Sequence, residues 1–145
     1  MIALDTNLLV YAFRADMPFH REAADVIAEL AEAPAKWAIP WPCAHELYAV
    51  VTNPRIFKTP TPAAKAAEQL RALDSIHNQV WLAEEDGYLD SLEAILLNAR
   101  IQGGQVHDAR IAAICLNHGV KTLWSADRDF SRFAGIEVRN PLLSR

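Results

Sequence analysis

Ile2-Ala3-Leu4-Asp5-Thr6-Asn7 opens the chain with an apolar run that stops at an acid. So short a run before a polar break does not make a helix; it reads as a buried strand, Ile2 to Leu4, with Asp5 at its carboxyl end. The pattern returns late in the chain, where Lys121 to Ser125 read as a strand and Asp127 follows it. Short apolar runs alternating with amphipathic stretches predict an α/β domain with a parallel sheet. In such sheets the carboxyl ends of the strands line the ligand crevice, so Asp5 and Asp127 are expected to meet there.

The segments between these two strands follow the same alternation. Phe19, Ala23, Val26, Ile27 and Leu30 recur at helical spacing, which predicts a helix from Phe19 to about Ala31. Trp37 to Trp41 read as a second strand, and Pro42 suits the first turn of a helix running to about Thr52. Asn53 to Pro62 is proline-rich and reads as a loop, with Thr61 expected to cap a helix carrying Ala63, Ala66, Ala67, Leu70 and Leu73. Gln79 to Ala83 read as a third strand, although the polar segment Asn78 to Asp90 as a whole matches no recognisable pattern. A further helix should turn Leu89, Leu92, Ile95, Leu96 and Ala99 inward and stop at Gly103-Gly104. The next runs from about His107 to His118 and ends at Gly119 as a left-handed cap, and Ile136 to Val138 read as a last strand.

Composition bounds the function classes. The chain has 145 residues, of which 52% are hydrophobic and 22% charged, as expected of one compact domain over residues 1–145. Apolar stretches are cut well before the roughly 20 residues of a membrane span. Met1 to Asp5 lack a signal peptide's layout, so a cytoplasmic protein is expected. Cys43 and Cys115 lack CxxC spacing, which argues for buried free thiols rather than a disulfide framework or a zinc site. The net charge of −4 gives no general affinity for nucleic acid, so a polynucleotide ligand would need a local basic rim.

Besides Asp5 and Asp127, two acids lie in the first turns of expected helices: Glu46 and Asp108. At about 100° per residue, Glu46 shares a face with Ala49 and Val50, and Asp108 with Ile111, Ala112 and Cys115. Taken singly, Asp5, Asp108 and Asp127 are equally well read as helix caps and Glu46 as a solvated residue. Taken together, capping leaves two acids on apolar faces without a reason. Carboxylates crowded into one cleft repel each other and favour a bound cation, and an oxygen-only set without cysteine suits magnesium or manganese better than zinc.

Those same residues carry a resemblance. Ile2-Ala3-Leu4-Asp5-Thr6-Asn7, Ala44-His45-Glu46-Leu47, His107-Asp108-Ala109 and Ser125-Ala126-Asp127-Arg128-Asp129-Phe130 resemble, in order and approximate spacing, the four acidic motifs of PIN-domain nucleases. The similarity spans nearly the whole chain, and the Pro54-Arg55-Ile56-Phe57 loop and the Gly135-to-Leu142 tail resemble a subgroup of VapC toxins. The resemblance implies a three-layer α/β/α sandwich with a central parallel sheet and a magnesium-dependent endoribonuclease, manganese substituting. It also implies a homodimer, and inhibition by a small VapB-like antitoxin in a type II toxin–antitoxin pair. Residue by residue, it implies Asp5, Glu46, Asp108 and Asp127 as the catalytic acids. Asp5, Asp108 and Asp127 would chiefly hold the metal, and Glu46 a metal-bound water or a second ion. Thr6, Asn7 and Ser125 would be supporting hydrogen-bonders, and Asp129 would either join the metal shell through water or orient Arg128. In-line attack by water would leave 5′-phosphate and 3′-hydroxyl ends.

Arg14, Arg55, Lys58, Arg110, Arg128 and Arg132 are candidates to grip an RNA backbone, Arg128 and Arg132 foremost because they stand one helical turn apart beside Asp127. Phe57 or a tryptophan could stack on a splayed base, but Trp37, Trp41, Trp81 and Trp124 lie in or beside strands and core packing is their default. His107 reads as a capping or packing residue, with general-base duty the alternative. Three other readings compete. A haloacid-dehalogenase-like magnesium-dependent phosphatase wants a second aspartate where Asn7 stands, and a response-regulator receiver wants an acidic pair after the first strand. A PIN-like module that binds RNA or protein without cutting is the reading from outside the enzymes.

Overall fold

The computed structural model describes residues 1–143. Five strands, β1 (Ile2–Leu4), β2 (Trp37–Pro40), β3 (Gln79–Leu82), β4 (Thr122–Trp124) and β5 (Glu137–Arg139), lie in the order β3-β2-β1-β4-β5. Every pairing is parallel, with Ile2 opposite Trp37 on one side and Thr122 on the other. Parallel neighbours need crossovers, and helices supply most of them. Helices α1 (Thr6–Phe13) and α2 (His20–Glu32) join β1 to β2, and α3 (Trp41–Val51) and α4 (Ala63–Asp74) join β2 to β3. Helices α5 (Tyr88–Asn98) and α6 (Val106–Asn117) join β3 to β4, and a 3₁₀ turn at Arg128–Arg132 precedes β5.

The middle of the sheet is sealed on both faces. Ala3, Leu4, Ala38, Ile39 and Leu123 are fully buried, and consecutive strand residues point to opposite faces, so both faces are covered. This is the α/β/α sandwich that the motifs implied. No helix among the described residues is long and apolar enough to cross a membrane, and both cysteines are buried and unpaired.

Several local expectations need correction. Strand β2 ends at Pro40, and Trp41 already belongs to α3, because Pro42 in the first helical turn pulls the helix start back by one residue. Thr61 does not cap α4; its hydroxyl accepts a hydrogen bond from Arg14 at 3.2 Å. In α5, Ile95 is buried as expected but Leu89 is 69% exposed, and the helix stops at Asn98, where Arg100 at φ 52° turns the chain before the glycines are reached. Gly119 does sit at φ 72° just beyond α6. The unassigned stretch from Asn78 has a structural purpose: the buried Asn78 amide lies 2.8–2.9 Å from the carbonyls of Leu30, Ala33 and Ala35, tying the end of α2 to the start of β3.

Candidate active site

Strands β1, β2 and β3 extend the sheet in one direction, after which the chain returns past β1 to lay down β4 and β5 on the other side. The connections leaving β1 and β4 therefore diverge, and a crevice opens at their carboxyl ends. The seam is held by the Asp5 N–H, which donates to the Trp124 carbonyl at 3.0 Å.

Asp5 proves to be both a helix cap and a site residue. Its Oδ1 accepts the Thr6 N–H at 2.7 Å, as an N-cap of α1 should. Its Oδ2 accepts the Ser125 hydroxyl at 2.7 Å and the Asn7 amide at 3.0 Å, and the Cys43 thiol lies 3.9 Å from Oδ1. Every one of these donors is neutral. Asp5 is only 4% exposed, and burial pushes its carboxyl up to about 6; the Ser125 and Thr6 bonds oppose the rise, while Glu46 and Asp108 add to it.

Thr6, Asn7 and Ser125 stitch the start of α1 to the end of β4. The Thr6 hydroxyl donates to Glu46 at 2.5 Å. Asn7 donates to the Ser125 oxygen at 3.1 Å and accepts the Ala126 N–H at 3.1 Å, while the Asp127 N–H donates to the same serine at 2.9 Å. Asn7, at the place where a phosphatase would need its second acid, thus serves as a donor. Asp127 caps the 3₁₀ turn by accepting the Asp129 N–H at 2.8 Å.

Asp5, Glu46, Asp108 and Asp127 all line one cleft of about 300 Å³, with Thr6 and Asn7. Val10, Tyr11, Met17, Val50 and Phe130 form its apolar walls. Val50 lies on the face of Glu46 as its spacing predicts; Val10, Tyr11 and Met17 are walls that no motif marks, and the spacing of Val10 and Tyr11 from Asn7, one turn on along α1, is the signal that places the first two. Asp108 is half-buried and its carboxyl is raised by burial first, then by Asp127 and Glu46, with Arg132 opposing from 3.7 Å. The structure thus gathers four carboxylates whose charges burden one another, partly offset by Arg132 beside Asp108 and by Arg110, near Glu46. Each turns toward the nearest donor the chain offers, and among the described residues no three acidic, histidine or cysteine side chains converge closely enough to hold a metal.

The candidate RNA-binding arginines divide. Arg14 is corrected: it is buried, paired with Asp16 at 2.5 Å, bonded to the Thr59 carbonyl at 2.8 Å and stacked 3.9 Å over the Phe57 ring. It holds the 53–62 loop against α1, and neither it nor the buried Phe57 lines the acidic cleft. Arg55 is exposed on that loop and does not line the cleft. Arg128 is exposed, and Arg132 reaches Asp108; the two ends of a 3₁₀ turn are not one α-helical turn apart as expected, because three residues rather than 3.6 complete each turn. Asp129 and His107 are exposed and outside the cleft lining. Trp37 is core as expected, but Trp41 is 40% exposed.

Comparison with known proteins agrees with this architecture. The PIN domain family model matches residues 2–136. Ribonuclease VapC48 of Mycobacterium tuberculosis is 30% identical over 137 residues, covering 94% of each chain. Ribonuclease VapC31 of the same organism is 32% identical over 143 residues, covering 98% of this chain and all of its own. Among solved structures, VapBC2 from Rickettsia felis, bound to a DNA fragment from its promoter, superposes with a TM-score of 0.70 at 19% identity, covering 97% of this chain and 98% of that one.

Proposed function

Because this chain belongs to the PIN-domain family, we propose that its acidic cleft hydrolyses RNA phosphodiester bonds with the help of a divalent cation. The chain is a ribonuclease of the VapC type, the RNA-cleaving toxin of a toxin–antitoxin pair whose partner is a VapB-like antitoxin. The observation that carries the mechanism is the buried Asp5, held by neutral donors alone and pushed up to about 6 in the company of Glu46, Asp108 and Asp127.

A site of oxygen donors with surplus negative charge fits a hard divalent ion, and we assign magnesium, with manganese as its substitute. Asp5, Asp108 and Asp127 would hold it, with Glu46 as a fourth ligand directly or through water. Such an ion activates water and steadies the charge of the phosphate under attack. The chain's own part is positional. Ser125 and Asn7 fix Asp5, the Thr6 hydroxyl fixes Glu46, and the Asp129 N–H fixes Asp127. Arg132, near Asp108, and the exposed Arg128 supply the positive rim that the net charge does not. We further propose that the protein acts in the cytoplasm as a homodimer.

Incubation of total RNA with the purified protein tests the reading. Cleavage should require magnesium or manganese, should leave 5′-phosphate and 3′-hydroxyl ends, and should vanish in Asp5→Asn, which removes charge at nearly constant shape. Products ending in a 2′,3′-cyclic phosphate, or cleavage that survives the substitution, would reject it. Binding of RNA without cleavage under any divalent ion would instead identify a non-catalytic module.

A further inference from the structure

Beside the acidic cleft, on the side toward β3, lies a group of residues that cleavage chemistry does not use. Helix α3 carries Trp41, His45 and Glu46 in its first turns. Trp41 and His45, four residues apart, project from the same face and stack, with ring centroids 6.4 Å apart and planes at 27°. Trp41 also stacks on Trp81 of β3, 4.3 Å away at 13°. The three rings make a continuous ladder that starts at the residue preceding Glu46. Trp41 is 40% exposed and His45 is exposed, and the face of Trp41 joins an open groove of about 480 Å³ against Ala64, Ala67 and Leu70 of α4.

A cation stands at the cleft end of this ladder. Arg110 lies on α6, two residues beyond Asp108, and its Nε donates to Glu84 just past β3 at 2.5 Å. Glu46 is close enough to stabilise its charge, and His45 is close enough to influence Glu84. Nε is the only nitrogen of this guanidinium that is bonded among the described residues, and the side chain is 42% exposed. At the far end, Glu68, Arg71 and Asp74 line the groove, with Arg71 3.9 Å from Asp74.

We propose that Trp41 and His45, with Arg110, form a subsite for one nucleotide of single-stranded RNA adjoining the scissile phosphate: the base stacks on the rings and a flanking phosphate meets the Arg110 guanidinium. Aromatic platforms recognise unpaired bases because every base offers a π-face, and arginine supplies the phosphate contact. The subsite rests on the ribonuclease reading and deepens it. It restricts the enzyme to RNA that can splay out a base next to the cut, such as a loop or a single strand.

The test uses a fluorescein-labelled oligoadenylate of twelve nucleotides, bound in EDTA and followed by anisotropy and by quenching of tryptophan fluorescence. Trp41→Ala should weaken binding about tenfold, Trp41→Phe should recover most of it while losing most of the quenching, and Arg110→Gln should weaken binding and lessen its dependence on salt. With magnesium, Trp41→Ala should raise KM for the same RNA while kcat stays within about threefold. Unchanged affinity and KM in both Trp41 variants would overturn the subsite while leaving the ribonuclease intact. A Trp41→Ala protein that binds RNA normally but changes its mass in light scattering would assign this face to a protein interface, and the proposal fails. If the wild type neither binds nor cuts RNA, the ribonuclease reading falls and the subsite with it.

Discussion

Two buried charges, nine residues apart in sequence, are treated in opposite ways. Arg14 is neutralised within the chain: Asp16 accepts from it, Thr59 and Thr61 take further donors, and Phe57 covers its face. Asp16 is held below the ordinary carboxylate range in return. Asp5 is more deeply buried and receives hydrogen bonds only from neutral groups, while burial first, and then the acids around it, push its carboxyl up to about 6. Both are buried ions, and one is a finished piece of structure. The other is a charge to which the fold supplies no counterion, and that incompleteness is the ground for the cation we propose there.

Exchanging the two charges for neutral groups should therefore have opposite consequences. Asp5→Asn should lower magnesium-dependent RNA cleavage by about a thousandfold or more and leave a folded protein. Arg14→Met should cost about 2–3 kcal/mol of stability in urea unfolding, since it strands the Thr59 carbonyl and the Thr61 hydroxyl. Its rate per folded molecule should change by less than about threefold. If Arg14→Met lost cleavage without losing stability, Arg14 would belong with the site after all.

The pH dependence sharpens the contrast further. Below about pH 4 Asp5 is protonated in both the folded and unfolded chains; as the pH rises, the unfolded chain releases its proton first and the folded chain only around pH 6. Over that interval the folded state binds more protons, so the contribution of Asp5 to stability is present at low pH and lost as the pH rises through about 6. The loss amounts to about 3 kcal/mol at most. In EDTA, the stability of wild type relative to Asp5→Asn should fall between pH 4 and 7.5, and magnesium should restore it at the upper end. A difference that stays flat across this range would mean that Asp5 is not held protonated by its surroundings.

A smaller effect is expected of the residues that aim the acid. Ser125→Ala removes a hydroxyl that both donates to Asp5 and accepts from Asn7 and Asp127. It should weaken divalent-ion affinity by about tenfold to a hundredfold, read by calorimetry. No change in affinity would show that the three remaining donors suffice.

The sequence disclosed what is local and periodic. Apolar runs marked the strands, and an acid at the end of β1 and another beyond β4 marked the crevice, because neither position tolerates an acid without a reason. It did not disclose contacts made at a distance. Thr61 looks like a helix cap, and Arg14 like a free cation, until each is seen to satisfy the other across 47 positions. Leu89 fits a helical stripe, but while Leu92, Ile95, Leu96 and Ala99 pack against the core, Leu89 in the first turn of α5 stays in solvent. Strand order was equally hidden, and with it the fact that β3 brings Trp81 against Trp41 and turns an expected core residue into an exposed ring. Motif spacing could place the acids along the chain and Arg132 beside Asp127; the fold adds that the acid Arg132 reaches is Asp108.

The central claim is that Asp5, Glu46, Asp108 and Asp127 share a divalent ion, and manganese titration followed by electron paramagnetic resonance tests it without any substrate. Free manganese gives a strong signal that vanishes on binding. Wild-type protein should remove it in saturable fashion, with affinity reduced at least tenfold in Asp5→Asn and in Asp108→Asn. Equal binding by all three proteins, or none by the wild type at neutral pH, would contradict the account.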